Sequence, residues 1–98
     1  MEPIYIEIII DAAELSAAHC SRDELEAPLE QALHAAKLGI VTGGGSGSHG
    51  SIIEVEVMDS NRLSEAVNLM RRVLADNRAP PATLIKQVDP AGESWRVG

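Results

Sequence analysis

The chain holds no phenylalanine, one tryptophan, one tyrosine and a single cysteine, Cys20. One thiol cannot build an intramolecular disulfide framework or a multi-cysteine zinc site, so packing alone has to stabilise the fold. So few rings leave little with which to stack bases. Eight basic residues against fifteen acidic ones, a net charge of −7, repel a phosphate backbone. Nucleic acid is therefore not an expected partner. No apolar run reaches the length of a membrane span, and the isoleucine run near the start follows Met1, Glu2 and Pro3 with no basic region ahead of it. A soluble cytoplasmic protein, with no export signal and no membrane association, is expected. What is present suffices for one small domain. Ninety-eight residues, 45% of them hydrophobic, are enough for one modest core, so a single domain rather than a multidomain enzyme is expected.

Two segments carry a strand period. In Ile4 to Ile10, Ile4, Ile6, Ile8 and Ile10 share one face, and Tyr5, Glu7 and Ile9 share the other. In Ile52 to Met58, Ile53, Val55 and Val57 point toward the core, while Ile52, Glu54, Glu56 and Met58 point away. Between them, Ser21-Arg22-Asp23-Glu24 has the form of a capping box. Leu25, Leu29, Ala32, Leu33 and Ala36 then recur at helical spacing until Gly39, which reads as a glycine stop. Pro28 inside this pattern either kinks the helix or marks its start one turn later. The Ala-rich stretch from Asp11 to Cys20 reads as a loop or as a short extra turn capped by Asp11. A second helix is capped by Asp59 or Ser60 and carries Leu63, Ala66, Val67, Met70, Val73 and Leu74 as its apolar stripe.

After Pro80-Pro81, residues Thr83 to Val88 read as a last strand and Asp89 to Gly98 as a tail, giving one domain over 1–88 with a tail over 89–98. Leu38 to Thr42 is short and β-branched. The glycine-rich stretch after it returns the chain into Ile52 to Met58 as a hairpin. The order strand, helix, strand, strand, helix, strand is that of the ferredoxin-like βαββαβ fold. The expected architecture is α+β, a two-layer sandwich with a four-stranded antiparallel sheet and two helices on one face.

Three constellations carry candidate chemistry. Gly43, Gly44, Gly45, Ser46, Gly47, Ser48 and His49 form a glycine-rich loop of the kind whose backbone N–H groups cradle anions. It holds no Lys or Arg and leads into a strand rather than a helix, so a hairpin tip is the simpler reading. Glu7, Glu54 and Glu56 fall on the sheet face opposite the helices. With the first and third strands adjacent they become cross-strand neighbours, suited to acid/base work, to a divalent metal or to recognition of a cation. Lys86 offsets them if it shares that face. Tyr5, Ile9, Ile52 and Met58 surround the carboxylates, and an open, partly apolar sheet face is a common surface for a partner or a second copy. The competing expectation is that the tail with Trp95 shields Ile9 and Ile52. Finally, His19-Cys20 sets a base beside a thiol, but nucleophile pairs are spatial rather than sequential. His19, His34 and His49 have no metal-ligand spacing. Neither Ser46 nor Ser48 sits in a strand-to-helix nucleophile elbow.

These features point to a small acidic, non-enzymatic interaction module. It needs no cofactor or metal and binds or inhibits a basic protein through Glu7, Glu54, Glu56, Tyr5 and Met58, with a homodimer through the same open face as a further expectation. In size and charge the chain resembles the small acidic immunity proteins of bacterial toxins, without a shared motif. In strand and helix order it is similar to ACT-type amino-acid-binding domains. That resemblance implies a ligand near Asp11 to Ser21, a stretch that here lacks the glycine-containing turn. A small-ligand regulatory domain is the alternative.

Overall fold

The computed structural model describes residues 3–98. The fold is α+β, with a five-stranded antiparallel sheet in the order β2-β3-β1-β4-β5. The strands are β1 (Ile4–Asp11), β2 (Gly39–Ser46), β3 (Gly50–Val57), β4 (Leu84–Asp89) and β5 (Ala91–Arg96). The helices are α1 (Ala12–Ala17), α2 (Arg22–Ala35) and α3 (Leu63–Asp76), the last preceded by a 3-10 turn over Ser60–Arg62.

The strand alternation lands as the sequence predicts. Ile4, Ile6, Ile8 and Ile10 are buried with Ile53, Val55 and Val57 in one core cluster, beneath Leu25, Leu29 and Leu33 of α2 and Ala66, Val67, Met70 and Leu74 of α3. Pairing of β1 with β3 sets Ile6 against Val55 and Ile8 against Ile53. A slip of one residue in either strand would turn this row to solvent, so the core fixes the register.

Local hydrogen bonds set the helix starts. The Asp11 carboxylate accepts from the Glu14 N–H at 3.0 Å and starts α1, so the Ala-rich stretch is a helix of six residues and not a loop. The Ser21 hydroxyl accepts from the Glu24 N–H at 3.3 Å and starts α2 where the capping box lies. α2 runs through Pro28 without restarting. The donor that proline lacks is the one that would have met the Glu24 carbonyl.

Four expectations are corrected. Among the described residues the sheet has five strands and the α-helices number three, rather than four and two. The segment read as a tail supplies β5: Ile85 faces Trp95 and Leu84 faces Arg96 across the β4–β5 pair. The glycine stop of α2 is not at Gly39. The helix closes through Lys37, in the left-handed region at φ 56, and the Leu38 N–H donates back to the Leu33 carbonyl at 3.0 Å. Gly39 lies in β2 instead, where a Cβ would sit 2.3 Å from the Glu56 carbonyl oxygen. Lastly, Trp95 shields neither Ile9 nor Ile52, because it packs against the core cluster beside Ile85.

Arg62 joins the two long helices. Its guanidinium donates to the Lys37 and Ala36 carbonyls at 3.3 and 3.4 Å and holds Glu65 through two bonds of 3.0 and 2.8 Å. The cation thus meets the negative end of α2. Among the described residues, no helix is long and apolar enough to cross a membrane.

Candidate functional site

Because α2 and α3 cover one face of the sheet, the alternate side chains of the strands form an open face on the other. The register orders this face into rows across the sheet. In one row Ile40 lies beside Glu56, Glu56 beside Tyr5, and Tyr5 beside Asp89. The next runs from Gly43 through Glu54 and Glu7 to Lys86 and Ser94. The third runs from Gly45 through Ile52, Ile9 and Leu84 to Arg96. The face is therefore acidic and aromatic at one end, mixed in the middle and apolar at the other.

Glu7 stands directly opposite Glu54. Like charges so placed repel and destabilise the pairing. On its other side Glu7 faces Lys86, yet among the described residues no ion pair joins Lys86 to a carboxylate. The Glu56 carboxylate beside Tyr5 raises the phenol pKa, with Asp89 adding in the same direction, so Tyr5 stays a neutral donor in an acidic neighbourhood. Among the described residues, Tyr5, Ile40, Ile52 and Met58 are the exposed large hydrophobics. Met58 follows the end of β3, and its N–H donates to the Leu38 carbonyl at 3.0 Å. The register thus brings together Tyr5, Glu7, Glu54 and Glu56, with Met58 beyond the acidic end. The sequence reading missed Ile40, Asp89 and Leu84, because their faces depend on where β2 and β4 begin and bulge.

The glycine-rich run is mostly strand. β2 extends through Gly43, Gly44, Gly45 and Ser46, leaving Gly47, Ser48 and His49 as the turn. The reason is close approach. At Gly44, with φ +144, a Cβ would lie 2.1 Å from the Ile52 carbonyl oxygen, and the register shifts between Val41 and Gly43. Gly44 thus serves an irregular strand pairing, whereas a Cβ at Gly43, Gly45 or Gly47 would meet open space. Ser46 and Ser51 close the pairing with a hydroxyl bond of 2.9 Å.

The hairpin turn leans on the junction of β1 and α1, where the Ala12 N–H donates to the His49 carbonyl at 3.4 Å. Between this turn, Asp11, Glu14 and Ala82 lies a recess of 490 Å³ whose lining includes Ile9, Ile52 and Leu84 of the apolar row. Sequence spacing gave no sign of it, since its walls come from three distant segments.

The other candidates disperse. His19 sits exposed in the left-handed region at φ 53, closing α1. The Cys20 thiol points to the Ser21 and Asn77 carbonyls at 3.6 and 3.7 Å. Burial and the Glu24 charge raise its pKa, which keeps it protonated and poorly nucleophilic. His34 is exposed on α2. Among the described residues, no three of His, Cys, Asp and Glu gather as a metal site. Compared with protein-family models, curated proteins and solved structures, the chain matches none.

Proposed function

We propose that the protein is a non-enzymatic interaction module of ferredoxin-like fold that binds, and by binding inhibits, a basic protein partner through its open sheet face. The observation that carries this reading is the register that sets Glu7 against Glu54, one row from Glu56 and Asp89, on the face the helices leave bare. A cationic surface laid on this face relieves a repulsion that the free protein bears. Tyr5, Ile40 and Met58 give the contact apolar area beside its charge. Net charge of −7 favours fast encounter with a basic protein.

The test is capture from lysate of the native source on immobilised wild-type protein and, in parallel, on Glu54→Gln/Glu56→Gln. A basic protein held by the wild type at low salt, released by high salt and lost from the variant is the expected result. With that protein purified, the double variant raises Kd by about 3- to 30-fold and flattens the salt dependence. Identical captures on both proteins refute the role of this face.

A further inference from the structure

We propose that the recess between the hairpin turn and the β1–α1 junction takes an apolar side chain of the basic partner, flanked on the partner by lysine or arginine. This rests on the proposed function and specifies the kind of segment recognised. The floor is the third row of the open face: Ile52 and Leu84 both lie beside Ile9 across the strands. It is continuous with the acidic row, since Glu7 and Glu54 are two residues along the same strands on the same face. The volume of 490 Å³ exceeds what one large aliphatic or aromatic side chain needs.

Charge selects the occupant. The ionisable groups lining the recess are Asp11, Glu14 and His49; Arg96 stands beyond Leu84 at the β5 end of the row and Lys86 beside Glu7, both outside the lining. Asp11 already accepts the Glu14 N–H, but Glu14 makes no ion pair among the described residues. On the β1–β3 side an apolar group carrying a carboxylate would meet repulsion at this rim and again at Glu7 and Glu54, while one carrying cations meets complementary charge at both; Lys86 and Arg96 lie on the β4–β5 side. The walls are tied to the fold, because a Cβ at Gly50 would lie 2.2 Å from the Ile10 carbonyl oxygen and the His49 carbonyl is held by Ala12. The recess is therefore formed before the partner arrives, which lowers the ordering cost of binding.

Three capped tripeptides separate shape from charge when titrated into the 15N-labelled full chain: Lys-Phe-Lys, Lys-Ala-Lys and Glu-Phe-Glu. Lys-Phe-Lys is expected to shift the amides of Ile9, Ile52, Ala82 and Leu84 together with Glu7 and Glu54, and to bind about five- to tenfold more tightly than Lys-Ala-Lys. Ile52→Asn, at an exposed position, is expected to abolish that difference while Lys-Ala-Lys binding persists. If Ile52→Asn loses its dispersed spectrum, Ala82→Phe plugs the recess from its exposed rim and serves the same purpose. Equal binding of the two lysine peptides, with shifts confined to Glu7, Glu54 and Glu56, overturns the recess and leaves the acidic-face reading standing. Recess shifts from Glu-Phe-Glu as large as those from Lys-Phe-Lys overturn the basic occupant. Silence at the recess with all three peptides at about 10 mM overturns the proposal outright.

Discussion

Thr83 is 1% exposed, and its hydroxyl has no hydrogen-bond partner among the described residues. Its backbone is fully used, donating to the Pro80 carbonyl at 3.0 Å and accepting from the Val97 N–H at 3.0 Å. The hydroxyl has thus left water without compensation, while the backbone pairing does not depend on it. Thr83→Val keeps the shape and removes the unpaired group, so it is expected to stabilise the protein by about 1 kcal/mol. Urea unfolding checks this: the midpoint rises with an unchanged slope, and a lower midpoint would mean that the hydroxyl has a partner. Val55 is the converse case. It is 1% exposed on an interior strand, packed among isoleucines and leucines. Val55→Asp buries a carboxylate among apolar side chains and is expected to cost more than about 4 kcal/mol, with cooperative unfolding lost in the same measurement.

Helix termination is where local sequence and structure part company. All three helices close with a non-glycine residue in the left-handed region: His19, Lys37 and Arg78, at φ 53, 56 and 71. In each case the next N–H reaches back to a carbonyl five residues earlier, Leu15, Leu33 or Leu74. A Cβ is strained in that conformation, and the side chains at these positions are exposed. Lys37→Gly is therefore expected to stabilise the protein by about 0.5–1 kcal/mol, read from the thermal midpoint. The Arg62 bond to the Lys37 carbonyl survives this change because it uses the backbone. The partner of Arg62 carries a pH signature. Its guanidinium bonds hold the Glu65 pKa below the ordinary carboxylate value. A carboxylate depressed on folding contributes stability that is full above its unfolded pKa and is lost as pH falls through the folded one. Glu65→Gln is thus expected to lower the thermal midpoint at neutral pH and to leave it unchanged once the wild-type carboxylate is protonated.

The same contrast explains what was legible in the sequence. Period-two alternation in Ile4 to Ile10 and Ile52 to Met58 gave the two strands and the faces of Glu7, Glu54 and Glu56, because side-chain direction in a strand is a local property. The capping residues Asp11 and Ser21 marked candidate starts for the same reason, with a loop left open at Asp11 and a later start after Pro28 left open for α2. β5 was not legible: Ala91-Gly92-Glu93 has little strand propensity, and only its pairing with β4 makes it extended. The glycine-rich end of β2 read as a loop because the carbonyl that Gly44 lets approach belongs to another strand. The recess was hidden on the same grounds, its walls being neighbours only after folding.

At the scale of the whole molecule the charge is costly to the fold. The chain carries −7, and its sheet sets Glu7 against Glu54, neither of which forms an ion pair among the described residues. Added salt is therefore expected to raise the thermal midpoint by screening. A sequence selected for stability alone would place opposite charges at such a cross-strand pair. Glu54→Lys does so and moves the net charge two units toward zero, which should stabilise the fold by about 0.5–1 kcal/mol and reduce its salt dependence. If the acidic face recognises a cationic protein, the same substitution weakens that binding more than Glu54→Gln does, since it adds a repulsion as well as removing an attraction. Stability and affinity must then move in opposite directions across the series Glu54, Gln and Lys, measured by thermal unfolding and by titration with the captured partner. A series in which stability rises and affinity holds would mean that the opposed carboxylates are not retained for binding.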